Sequence, residues 1–170
     1  MGVIVIVAAI AADQALKRLM YVWLRPLGTF PLIEGFIHLF YTTNTGAAFG
    51  IFSNHRWVFL VISTVAILLM IGIMAVYGRR STMLTLSLAL LAGGGIGNMI
   101  DRIVHGYVID FAEFQFVHFA IFNFADTCVT IGSGLLILYI LIFELFKKRP
   151  AAAAEPAAEP TPTEHGGTDV

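Results

Sequence analysis

Charge is scarce in this sequence. Asp, Glu, Lys and Arg make up 12% of its 170 residues, about half the share in a soluble domain. That shortage excludes an ordinary water-facing surface. A formal net charge of −1 leaves no excess of cations with which to hold nucleic acid. Cysteine is nearly absent too. The single thiol, Cys128, cannot form an internal disulfide and reads as a small buried hydrophobe. His38, His55, His105 and His118 lack the His-Glu-x-x-His spacing of a metal site. No Gly-x-Ser-x-Gly elbow offers a serine nucleophile.

What is present is apolar: 58% of the chain, with a mean hydropathy of +0.86. About 20 apolar residues cross a bilayer as a helix. Four segments qualify: Val3–Leu24, Trp57–Tyr77, Met83–Ile100 and Thr127–Phe146. The predicted fold class is therefore a mainly α membrane protein with four transmembrane helices. Asp13, Gln14, Lys17 and Arg18 interrupt the first span. It still reads as a retained helix, because Met1-Gly2-Val3 lacks the positive start of a signal peptide. Arg79-Arg80 and Lys147-Lys148-Arg149 put both termini on the cytoplasmic side by the positive-inside rule. Arg25–Arg56 and Asp101–Phe124 then face outward. Residues 1–149 form one membrane unit. Residues 150–170, rich in Ala, Pro and Glu, hold nothing to build a core and are expected to be a disordered cytoplasmic tail.

The first outer segment is more than a loop. Pro26, Gly28, Pro31 and Gly35 break any helix. Phe36–Thr43 is aromatic and β-branched, which favours strand, and Asn44-Thr45-Gly46 reads as a turn. A small extracytoplasmic β-sheet is predicted, with its apolar side on the membrane or on a greasy ligand.

Ionisable residues inside a span cost on the order of 3 kcal/mol each and so mark function. Asp13 and Lys17 stand in the favourable i, i+4 order on one helix face. The third span ends in Gly93-Gly94-Gly95, whose small size suits close helix packing. Asp13, Asn98, Asp101, Asp110, Asn123 and Asp126 are all predicted at one depth, the outer boundary. Two carboxylates close together in a low-dielectric site cannot both ionise. One then activates water while the other donates a proton, the division of labour that metal-free peptide hydrolysis needs. A proton-coupled transporter is the competing reading, but its ionisable groups would be strung across the membrane rather than gathered at one face.

Five short boxes occur in order: Asp13-Gln14 with Lys17; Asn44-Thr45-Gly46-Ala47-Ala48-Phe49; Gly97-Asn98-x-x-Asp101-Arg102; Val108-Ile109-Asp110-Phe111; and Phe122-Asn123-x-Ala125-Asp126. In these the chain resembles lipoprotein signal peptidase, or signal peptidase II, over about residues 10 to 135. Ile109 and Gly50 depart from the residues frequent there. The resemblance implies four helices with a periplasmic β-cradle in the bacterial inner membrane. It implies cleavage just before the diacylglyceryl-modified cysteine of a prolipoprotein, with membrane lipid as surroundings. It implies no metal or cofactor, and a monomer suffices for the chemistry. Carried over residue by residue, Asp110 and Asp126 match the catalytic pair. Asp13, Lys17, Asn44, Gly46, Asn98, Asp101, Arg102, Asn123 and Ala125 match the surrounding shell. Asp101, beside Arg102 and one turn from Asn98, is expected to be a structural anchor.

Overall fold

The structure is a computed structural model that describes residues 1–46, 56–117 and 119–147. The readings of the 150–170 tail, of Lys148-Arg149, of Ala47-Ala48-Phe49 with Gly50, and of His55 and His118 lie outside these residues.

The elements run α1 (Gly2–Leu19), a π-helical stretch (Met20–Leu24), a short α2 (Arg25–Leu27), β1 (Thr29–Ile33), β2 (Ile37–Asn44), α3 (Arg56–Tyr77), α4 (Thr82–Val104), β3 (Val108–Phe114) and α5 (Phe124–Lys147). Three helices, over Trp57–Arg80, Thr82–Val104 and Phe124–Phe143, are long and apolar enough to cross a membrane. The first helix carries Asp13, Lys17 and Arg18 and is not among those three.

Helix α4 is the hub and packs against α1, α3 and α5. Half of its apolar window is buried, against 6% for α3. A helix as exposed and as apolar as α3 has lipid, not water, as its solvent. Close packing on α4 depends on its glycines. A Cβ on Gly93 would meet Ala9, and one on Gly94 would strike the Ala125 carbonyl of α5. The packing expected of these residues is what the structure shows. Gly95 makes only ordinary contact with Ile67.

The sheet is antiparallel in the order β1-β2-β3. Its central strand falls where Phe36–Thr43 predicted one. Pro31, read as a helix breaker, lies in the edge strand β1 opposite His38, a place that tolerates a missing N–H. Gly35 (φ 70°) turns β1 into β2, and Gly106 (φ 82°) turns α4 into β3, a region of φ open chiefly to glycine. Met20, Leu24, Leu39, Phe111 and Ala112 form a buried cluster. It joins the end of α1 to the inner face of the sheet, and Phe122 and Phe124 pack on it from the start of α5.

The last two helices run several residues beyond their apolar spans. The last, whose apolar run starts at Thr127, begins at Phe124 because Asn123 caps it. The third continues past Ile100 to Val104, since Asp101 and Arg102 find partners within the fold.

Candidate active site

The start of α5 is a capping box. Asn123 Oδ1 accepts from the Asp126 N–H at 2.9 Å, and Asp126 Oδ2 accepts from the Asn123 N–H at 3.1 Å. This reciprocal pattern satisfies orphan N–H groups at a helix start. Here it also fixes the Asp126 carboxylate. A second acid serves the same helix from far away in sequence: Asp13 Oδ1 on α1 accepts from the Ala125 N–H at 3.0 Å. Negative charge at a helix N-terminus is favourable.

Asp110 comes from β3. The Phe111 and Ala112 N–H groups donate to the Phe122 carbonyl at 3.1 and 2.9 Å, and the Phe122 N–H returns a bond to Ala112 at 2.9 Å. These three bonds pin β3 to the residue before Asn123. Asn123 Nδ2 then donates to Asp110 Oδ1 at 2.7 Å, while Asn44 Nδ2 from β2 donates to Asp110 Oδ2 at 3.1 Å. Asn44 also accepts from the Gly46 N–H at 2.9 Å, the Asx turn that its sequence predicted.

Asn98 on α4 supplies the other half. Its Oδ1 accepts from Lys17 at 2.9 Å and from Asn123 at 3.1 Å, which turns its Nδ2 onto Asp126 Oδ1 at 2.8 Å. Lys17 Nζ also pairs with Asp13 at 2.9 Å and Asp101 at 3.0 Å, so all three of its donors are used. Asp101 in turn accepts from the Ile109 N–H at 3.0 Å and so holds the residue before Asp110. Arg102 donates to the Gly46 and Asn98 carbonyls at 3.2 and 3.3 Å and lies over the Phe59 ring.

These residues fall into two tiers around a cavity of about 450 Å³. Asn44, Gly46, Asn98, Arg102, Asp110 and Asp126 line it, with Phe114, Phe119 and Phe122 among the apolar wall. Asp13, Lys17, Asp101, Asn123 and Ala125 are buried behind it. Asp110 is 3% exposed, and Asp126 is half-buried. Burial first, then the charge of Asp126, pushes the Asp110 carboxyl up to about 6. Desolvation and a like charge both disfavour the ionised form.

The family model for signal peptidase II matches residues 5–142. The chain belongs to the signal peptidase II family. It is similar to the lipoprotein signal peptidases of Brevibacillus brevis, 39% identical over 78% of this chain and 89% of the relative, and of Halothermothrix orenii, 42% identical over 81% and 92%. Among solved structures, a bacterial membrane enzyme matches with a TM-score of 0.82 at 27% identity. That match covers 89% of this chain and 94% of the other.

For this signal peptidase II family member, one participant escaped the sequence reading. Gln14, singled out only as the neighbour of Asp13, donates to Asp101 at 3.0 Å and to the Gly97 carbonyl at 3.2 Å. The signal was available, since an amide inside an apolar span is as unusual as an acid. Gly97 owes its size to the same knot, because a Cβ there would press on the Asp13 carboxylate. Cys128, 4% exposed, is the buried hydrophobe expected of it.

Proposed function

We propose that this protein is an aspartyl endopeptidase that hydrolyses the peptide bond before the diacylglyceryl-modified cysteine of a prolipoprotein, with Asp110 and Asp126 as its catalytic pair. The observation that carries the reading is their unequal setting on one cavity: Asp110 buried and raised to about 6, Asp126 more open, and Asn123 bonded to both. Asp126 takes the proton of the attacking water. Asp110 gives its proton to the scissile carbonyl oxygen and recovers one as the tetrahedral diol collapses, while Asp126 passes the water's proton on to the leaving amine. Asn44, Asn98 and Asn123 hold the two carboxylates in place. Asp13, Lys17 and Asp101 anchor those amides and the end of α4. Gly46 and Arg102 shape the rim where substrate backbone lies, and Ala125 keeps α5 close to α4. No metal is needed.

In this reading α1 is the fourth transmembrane helix, its acid and lysine paired inward. Residues 1–149 are the peptidase unit, working as a monomer in the bacterial inner membrane. The sheet lies over the outer boundary of the bilayer, so neither the acyl chains nor the apolar signal helix must leave it. The deciding assay incubates purified protein with the lipid-modified and the lipid-free precursor. Cleavage of the first alone is expected, and equal cleavage of both would remove the lipid from the recognition.

Two further results are expected. The pair must keep one proton between its members, so kcat/KM should fall as pH rises through about 6, the region where that proton is lost from the free enzyme. A rate that climbs steadily through this range would exclude Asp110 as the acid. Both termini should be cytoplasmic, following Arg79 and Arg80. A reporter fused after Val170 that is active only outside would reverse this topology.

A further inference from the structure

Most charges in the long helices turn inward. Asp13, Lys17, Asp101, Arg102 and Asp126 each have a partner inside the fold. Arg18 does not. It is exposed, one residue beyond buried Lys17, and so stands at the depth of the catalytic knot. Among the described residues its guanidinium meets no carboxylate, only the ring of Tyr21 at 5.6 Å.

Arg25 repeats the arrangement seven residues further along, beyond the π-helical stretch. It too is exposed, lies over Tyr21 at 5.1 Å and Tyr41 at 5.7 Å, and has no acidic partner among the described residues. Arg18 and Arg25 both lie over Tyr21, so the three side chains form one stripe along this helical segment. Tyr41 meets Tyr21 edge-on at 5.8 Å, which ties this stripe to the sheet. Burial, and then a hydrogen bond with Tyr107, pushes the Tyr41 phenol up to about 12, so it remains a neutral O–H.

A guanidinium over an aromatic ring keeps its in-plane N–H groups free. Its planar fork suits a phosphate oxygen pair. The surroundings choose the source of that phosphate. Leu19 and Val22 beside the stripe are 52% and 57% exposed, a greasy border that an acyl chain covers and that a free ion does not. An arginine on the lipid-facing side of a span also needs an anion, which the bilayer supplies only in its headgroups.

We propose that Arg18 and Arg25, seated on Tyr21 and Tyr41, bind the phosphodiester headgroup of an anionic phospholipid in the outer leaflet. The site is distinct from the catalytic cavity, whose lining includes none of these four residues. The proposal rests on α1 crossing the membrane as in the proposed function.

Native mass spectrometry of the full chain in zwitterionic detergent tests it, with dioleoyl-phosphatidylglycerol, dioleoyl-phosphatidylcholine and inorganic phosphate as probes. Wild-type protein should retain the phosphatidylglycerol in preference. Arg18→Gln/Arg25→Gln should lose that preference by roughly tenfold or more, from two surface arginines, and Arg79→Gln/Arg80→Gln should keep it. Should the first double variant fail to fold, Arg25→Gln alone should still show part of the loss. Unchanged preference in the Arg18/Arg25 variants, or equal loss in both arginine pairs, would overturn the site. Displacement of the lipid by inorganic phosphate would make it a simple anion site and overturn the headgroup assignment. Cleavage of the lipid-modified precursor by the same preparations reports separately on the proposed function, and the Arg18/Arg25 variants should retain it.

Discussion

Asp110→Asn and Asp126→Asn are each expected to abolish cleavage, by roughly four orders of magnitude or more, as loss of one member of a concerted catalytic unit does. Both variants should fold. Asn fits either site sterically, and the amides around Asp110 can still bond one of its two polar atoms. Asp110→Asn should even be the more heat-stable protein near neutral pH. The folded Asp110 carboxyl is raised from 3.8 to about 6. Its contribution to stability is therefore full below the lower value and is lost as pH rises through the upper one. Above that range the wild type bears the cost of a buried charge, at most about 3 kcal/mol. The asparagine variant is relieved of it, less about 1 kcal/mol for the amide bond that Asn44 loses. Melting curves at about pH 8 and about pH 4 should show the advantage at the first and not at the second. Asp101→Asn should behave in the opposite way. It weakens bonds to Lys17, Gln14 and the Ile109 N–H, so yield and stability fall while turnover persists in the folded fraction. A well-folded Asp110→Asn protein that cleaves at the normal rate would refute the assignment and make Asp101 the candidate partner of Asp126.

Lys17→Met should be the most destabilising single change in the helices. Its ammonium is 2% exposed and meets Asp13, Asp101 and Asn98 within 3.0 Å. Methionine fills the same space but leaves two buried carboxylates facing one another with no cation. Breaking such a group costs about 3–5 kcal/mol. Measured by thermal melting in detergent, the loss should be largely reversed in Lys17→Met/Asp13→Asn/Asp101→Asn, where no unpaired charge remains. If the single variant melts within about 1 kcal/mol of wild type, the knot is not what holds α1, α4 and α5 in register.

Much of this was legible in the sequence for local reasons. Apolar runs of about 20 residues announce spans whatever packs around them. The β-branched and aromatic run before Asn44 announces a strand. The boxes containing Asp110 and Asp126 are short enough to be read as patterns, and both residues line one cavity. Other features were out of reach because their cause is non-local. Nothing near Val108–Phe114 says that it pairs with β2, since its partners from Ile37 to Asn44 lie about seventy residues earlier in the chain. Nothing near Asp101 says that it receives the Ile109 N–H across a tight turn. The apolar run starts only at Thr127, and it is the capping-box spacing of Asn123 and Asp126 that carries the helix back to Phe124.

The bond from the Ala125 N–H to Asp13 spans 112 positions of the chain. It couples the order of synthesis to the assembly of the polar cluster. A ribosome delivers α1 first and α5 last, and until the last helix arrives the Asp13–Lys17 pair has no helix end to cap and Asp126 has no place to stand. Closure of this one bond therefore waits until α1 and α5, the first and last of the described long helices, have met.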